Sequence, residues 1–313
     1  MTLLIQYTLI FASILLLVAL GGCISEHSGV INLGLEGIMV LGALGGALCM
    51  RYLGPSLPGG VMVILTMLCA IVAGVIYSLM LAVAAINFNA DQTIVGTAMN
   101  LFATAASTVI VKAINTAANP NDVSSEIHYE TQRKAFIHYF GKFEFNWFMV
   151  VAVLALVFAF VLLYKTRFGL RLMACGEHPQ AADSVGINVR KMRYAGVMIS
   201  GALGGLGGIC YILAGVSLWK FEVGVAGFGF LALAVMIFGS WKPINIALAA
   251  LLFGFFRALS NTYIGIDFLY DLGLPSSVYN MLPYIISLIV LAFTSKNSRA
   301  PKAEGIPYDK GQR

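Results

Sequence analysis

An all-helical bundle that crosses a membrane many times is the fold class this sequence predicts, on three observations. Charged residues make up 11% of its 313 positions and hydrophobic ones 59%, whereas a soluble chain carries about 25% charged residues. Mean hydropathy is +0.88. The apolar runs are long and continuous, near the ~20 residues a spanning helix needs. They lack the short alternation of an outer-membrane barrel.

Nine spans follow in order: 3–22, 30–53, 60–86, 92–112, 146–164, 193–218, 224–240, 244–262 and 278–295. The first has no positive n-region and no small-residue cleavage site, so it reads as a retained span rather than a signal peptide. Gly and Pro mark the gaps, as in "GPSLPGG" at 54–60 and "GLPSS" at 273–277. The fourth and fifth spans are separated by a polar stretch, 113–145, without clear periodicity. No segment is long enough to fold as a separate soluble domain, so 1–313 reads as one transmembrane domain.

Lys and Arg orient it. Segment 165–193 holds Lys165, Arg167, Arg171, Arg190, Lys191 and Arg193, and the tail 296–313 holds five more bases. With Lys242 these make twelve of nineteen on one side. That side is expected to be cytoplasmic, with the N-terminus outside, the C-terminus inside and 113–145 external. Arg257 falls within a span, either lining a cavity or snorkelling to the outer surface.

"GIMVLGALGG" at 37–46 and "GVMISGALGG" at 196–205 agree at seven of ten positions. The echo reads either as close helix packing by small residues or as a parallel duplication.

Chemistry-bearing motifs are sparse. No phosphate-cradling G-x-x-x-x-G-K-[ST] loop, HExxH or GxSxG occurs. The five cysteines show no disulfide or zinc spacing. No catalytic residue, metal site, cofactor or nucleic-acid partner is expected. Acid or base is absent from the middle of five spans, which weakens an ion-driven mechanism.

Polar residues beside spans are the remaining signal. Asn32 and Glu36 lie in "SEHSGVINLGLEG"; Asn87, Asn89, Asp91, Gln92 and Asn100 lie around the turn between the third and fourth spans. These are candidates for a polar path. The alternatives are capping of a helix by Asp91 and a first-turn position near the positive helix end for Glu36.

One polar stretch, Gly176–Glu177–His178–Pro179–Gln180–Ala181–Ala182–Asp183, stands out on the basic side. Gly176 can end the preceding element. Pro179 suits a first helical turn, where its missing N–H costs nothing. Gly186 then ends a slim helix. Such a helix either enters a groove on another protein or is an ordinary surface turn; spacing leaves both open.

"TRFGLRLMACGEHPQAADSVGINVRKMRYAGVMISGALGGLGG" (166–208) closely resembles the cytoplasmic loop and following helix of ABC-importer permeases for simple sugars, branched-chain amino acids and nucleosides. "GGCISEHSGVINLGLEGIMVLGA" (21–43) and "GFGFLALAVMIFGSWKPINIALAALLFGF" (227–255) resemble signatures of one branch, the shorter permease of nucleoside systems whose binding lipoprotein is of the basic membrane protein type. The resemblance covers nearly the whole chain and is weakest over 113–145.

It implies a helical bundle of the vitamin B12-importer type in a bacterial inner membrane. It implies three partners besides membrane lipids: an ABC ATPase with two fused cassettes, a second homologous permease and an external binding lipoprotein. Residues 176–183 would be the coupling helix. Relatives often have ten spans, and the missing one would precede the first. Sugars or branched-chain amino acids are the alternative substrates; a stand-alone carrier or channel is the alternative class.

Overall fold

A computed structural model describes residues 2–127, 134–141, 143–215, 219–265, 271, 273, 275–294 and 300–309. Helices dominate. They are α1 Thr2–His27, α2 Leu35–Leu53, α3 Gly59–Ala82, α4 Gln92–Ala118, α5 Trp147–Lys165, α6 Arg167–Glu177, α7 Pro179–Ser184, α8 Val189–Cys210, α9 Phe228–Phe238, α10 Pro243–Thr262 and α11 Ser276–Thr294. Single π turns, Val83–Asn87 and Tyr211–Gly215, extend α3 and α8. A small antiparallel hairpin, β1 Ile137–Phe140 and β2 Phe143–Asn146, precedes α5.

Among the described residues seven helical stretches are long and apolar enough to cross a membrane: α1, α2, α3, α4, α5, α8 and α10. The two other expected intervals hold shorter or more broken elements. α9 has 11 residues, about 16 Å at 1.5 Å per residue, which is half a hydrocarbon core. α11 has 19 residues with Pro283 inside. α2 begins at Leu35 rather than near 30, because 28–34 runs in turns and extended chain. α4 continues past 112 to Ala118. Asn115 carries it there: its amide donates to the Ser124 and Glu126 carbonyls at 3.0 and 2.7 Å, and accepts from Arg51 at 2.5 Å.

α1 is the axis. It is buried continuously from Ile10 to Glu26, as expected of a helix that is apolar on every face, and it packs against α5, α8, α9 and α10. α3 has the opposite character. Ile64, Leu68, Val72, Ile76 and Met80 form an exposed stripe at four-residue spacing, a surface suited to hydrocarbon or another membrane helix.

The echoed segments meet each other. A Cβ on Gly42 would fall on the Gly205 backbone, Gly204 faces Ile38, and Gly46 faces Ile209. The pairs rise together, so α2 and α8 run in the same direction. Gly74 and Ser78 of α3 press on Gly201 and Gly205 from the other side. Small residues thus let three helices approach to backbone contact.

Local side-chain caps set four of the helix starts. Asp91 accepts from Thr93 N and Ile94 N at 2.8 and 3.1 Å, Asn146 from Phe148 N at 3.1 Å, Thr166 from Gly169 N at 3.0 Å, and Asn188 from Lys191 N at 3.0 Å.

Candidate functional site

Two places concentrate polar chemistry. The first is one end of the bundle, where the α1–α2 turn, the α6–α7 loop, the 239–242 turn and segment 300–309 gather. Ala303 N–H donates to Gly176 O at 2.8 Å, and Gly305 N–H to Gly29 O at 3.2 Å. The Trp241 indole donates to Glu26 at 2.5 Å, while the Trp241 carbonyl accepts from His27 Nε2 at 3.0 Å and Cys23 at 3.2 Å. These contacts hold Ser240 and Trp241 in the left-handed region, at φ of 52° and 56°, where a bulky residue stays only if its surroundings insist.

The opposite end carries the loops at 119–127 and 219–224. Phe221 N–H donates to Ser125 O at 3.2 Å, and Lys112 and Lys220 pair with Glu222 and Glu126 at 2.5 and 3.4 Å. Lys112 holds the exposed Glu222 carboxyl below the usual carboxylate range. Among the described residues, 165–193, 239–242 and 300–309 share one end; Lys296, Arg299, Lys310 and Arg313 lie outside the described residues.

At the first end the predicted stretch forms a distinct helix. α6 runs through Gly176 to Glu177, so Gly176 does not end it. Its smallness has another use: a Cβ there would fall on the His27 carbonyl oxygen. His178 is the junction residue, accepting from Ala182 N at 3.0 Å, and Pro179 takes the N1 position of α7. Gly186, at φ +84°, ends the turn that follows. Pro179 and Ala182 are buried; Glu177, His178, Gln180 and Ala181 are exposed and Asp183 is half-buried. Cys175 beneath them is buried, which pushes its thiol up to about 11 and leaves it unreactive.

The second place is inside the bundle, where 28–34 climbs as non-helical chain between helices. Backbone without helical bonds needs partners in a region without water, and the predicted polar residues supply them. Gln92 Oε1 accepts from Ile31 N at 2.7 Å. The Asn100 amide donates to Leu33 O at 2.8 Å and accepts from Gly37 N at 2.8 Å, capping α2. Asn32 donates to Ser200 at 2.9 Å. Glu36 then reaches the start of α9, accepting from Gly227 N and Gly229 N at 2.8 and 2.7 Å. Two helix N-termini, those of α2 and α9, thus meet at one carboxylate, which their positive ends favour.

Four predicted residues, Asn32, Glu36, Gln92 and Asn100, are brought together here. Asn87, Asn89 and Asp91 are not: they stay exposed in the α3–α4 turn, with Asp91 capping α4. Arg257 does not snorkel outward; its guanidinium lies 5.3 Å from the Phe228 ring, and its Nε is buried. Sequence reasoning missed Arg193, Trp241 and Glu304 at the first end. Arg193 had been read only as an orientation charge, yet it is 1% exposed. It also missed Gly227, whose φ of +78° starts α9; the run "GVAGFGF" inside a predicted span was the available signal.

Known proteins match over this whole architecture. The family model for the permease component of branched-chain amino acid transport systems matches residues 4–291. The guanosine ABC transporter permease protein NupQ of Bacillus subtilis is 42% identical over 100% of this chain and 98% of its own length. The nucleoside ABC transporter permease protein NupC of Lactococcus lactis is 38% identical over 97% and 96%. The B. subtilis guanosine permease protein NupP matches more distantly, at 25% identity over 84% and 74%. The seven apolar spans and the full-length matches make this chain a multi-pass membrane protein that belongs to the branched-chain amino acid transport system permease family.

Proposed function

We propose that the chain is the shorter permease subunit of an ATP-driven nucleoside importer in a bacterial cell membrane, with purine nucleosides such as guanosine as substrates. The observation that carries this is end-to-end identity to two nucleoside permeases, at 42% and 38%. The match to both guanosine permease proteins of B. subtilis, one full-length and one distant, supports pairing with a second, homologous permease. A separate subunit with two ATP-binding cassettes supplies energy, and an external lipoprotein delivers substrate.

The bundle is of the vitamin B12-importer type with nine crossings: the two beyond the seven long apolar helices are α11 and a broken crossing in which the chain at 219–227 completes the half-span α9. The end bearing α7 is cytoplasmic, with the N-terminus outside and the C-terminus inside. Its support is the gathering of Lys165, Arg167, Arg171, Arg190, Lys191 and Lys242 at helix ends, in α6 and in the 239–242 turn at that end. ATP binding draws the cassettes together and moves α7, whose exposed face of Gln180, Ala181 and Ser184 sits in the ATPase cleft. The bundle opens outward, substrate enters, and hydrolysis resets it.

The path runs past 28–36, with Asn32, Glu36, Gln92 and Asn100 along it and the exposed Asn87, Asn89 and Asp91 of the α3–α4 turn outside it. Glu36 and Asn100 shape it, since their hydrogen bonds go to backbone. Asn32 Oδ1 and Gln92 Nε2 are a buried acceptor and donor with no protein partner, a pairing suited to a neutral solute with both kinds of group.

The test replaces Gly176–Asp183 by a Gly/Ser linker of equal length. Uptake of labelled guanosine should vanish while membrane insertion persists; retained uptake would remove α7 from the mechanism. Competition of wild-type uptake by ribose and leucine decides the substrate class, and a nucleoside system is inhibited by neither.

A further inference from the structure

We propose that the C-terminal segment 300–309 is a coupling strut: it braces α7 from beneath and ties α6, α7 and α8 to the α1–α2 turn, so that displacement of α7 reaches the non-helical chain leading to Glu36. This rests on the reading of α7 as the ATPase-docking helix.

The mechanical problem comes first. α7 has six residues and buries two of them, Pro179 and Ala182. A helix attached so lightly would tilt under load and leave the bundle still. Coupling between sites travels through continuous contacts, and the segment supplies them. Tyr308, 7% exposed, sits in one cluster with Cys175 of α6, Ala182 of α7 and Val189 of α8. From there the chain is fastened at successive points. Ile306 O accepts from Arg193 Nη1 at 3.0 Å. Gly305 N–H donates to Gly29 O at 3.2 Å and Ala303 N–H to Gly176 O at 2.8 Å. Glu304 lies beside Glu26, the α1 residue that accepts from Trp241.

Arg193 shows that the fit is built in. A guanidinium 1% exposed is costly unless it is hydrogen-bonded, and its Nη1 donates to the carbonyl of Ile306. Space is equally close. A Cβ on Gly29 would lie 2.9 Å from Arg193 Nη2 and 3.3 Å from Ala303 O; one on Gly305 would lie 2.7 Å from the Ile31 side chain. Gly29 in turn leads directly into 30–34, the chain held by Gln92 and Asn100.

The test uses the complete importer in proteoliposomes. It compares wild type with a chain ending before Ala300, Tyr308→Ala, Tyr308→Phe and Gly305→Val. Three quantities are read per complex: assembly with the ATPase, ATP hydrolysis and nucleoside uptake. The strut predicts that the truncation, Tyr308→Ala and Gly305→Val assemble and hydrolyse ATP. Their uptake per ATP should fall by about tenfold, the size of a typical inter-site coupling. Tyr308→Phe, which keeps the ring, should transport normally.

An unchanged uptake-to-ATP ratio in the assembled variants overturns the proposal. So does loss of assembly in parallel with uptake across all three, which would make the segment a folding element only. The Gly/Ser exchange of 176–183 separates the two ideas. If that exchange leaves uptake intact, the docking reading fails; if it abolishes uptake while the tail variants stay coupled, the strut alone fails.

Discussion

α7 and α9 are both too short to cross a membrane, at six and 11 residues, and they are short for opposite reasons. The ends of α7 are set by its neighbours in sequence: Pro179 opens it and the left-handed Gly186 closes the turn after it. Around α9 the apolar pattern runs unbroken from 224 to 240, long enough to span. Its start is set by Glu36, 191 residues earlier than Gly227. α7 offers one face to solvent, where free N–H groups find water. α9 begins among buried side chains, where the first-turn N–H groups need a partner that the fold must bring. A helix boundary at a surface is thus a local property, and one inside a bundle is a tertiary property.

The largest expected effect breaks the tertiary boundary. Glu36→Ala leaves the Gly227 and Gly229 N–H groups buried without an acceptor, at about 1–3 kcal/mol each. Thermal unfolding in detergent should drop clearly and uptake should be lost, with Glu36→Gln in between because one amide oxygen remains. Wild-type stability in the Ala variant would mean that α9 holds its own start, and the contrast with α7 would disappear.

Gly186→Val attacks the local boundary and should do less. Nothing lies within 4 Å of an added Cβ, so the penalty is backbone strain alone, about 1–2 kcal/mol. It should fray α7 and weaken ATPase co-purification at unchanged unfolding temperature. A global loss of stability instead would place α7 in the folding core.

pH sharpens the comparison at the brace beneath α7. Burial pushes the Glu304 carboxyl up to about 7. A folded value above the free one means the docked segment favours the protonated acid. That support is complete below about pH 4.3, the free value, and is lost as pH rises through about 7. Trypsin cleavage after the exposed Lys302, normalised to an unstructured substrate, should therefore rise from about pH 6 to 8.5. Glu304→Gln should flatten it; a flat wild-type profile would uncouple this carboxyl from docking.

The smallest effect is at a helix start with a purely local cap. Asp91→Ala should cost about 1 kcal/mol, as for an ordinary exposed N-cap, and leave the KM for nucleoside unchanged. A raised KM with an intact fold would instead put Asp91 in contact with substrate.

Much was legible beforehand. The apolar runs located the helices, and Asp91, Asn146, Thr166 and Asn188 sit where short polar side chains cap the residues just after them. "GEHPQAAD" announced α7 because Pro and Gly act on their own backbone. Glu36 and Asn100 could be singled out as polar residues near apolar spans, but not assigned partners 191 and 63 residues away. Arg193 read as one more orientation charge because burial leaves no mark in a run of bases.

By itself the sequence determined that this chain is a helical membrane bundle, where most helices begin, and that a slim polar helix interrupts it. Hydropathy, caps and turn residues act over a few positions and need no distant partner. Only the tertiary structure decided that α2 starts late, that α9 is half a span, and that 300–309 closes over α6, α7 and α8. Each of those rests on a backbone or charged group that must find its hydrogen bond without water, and which side chain supplies it depends on how the helices come together.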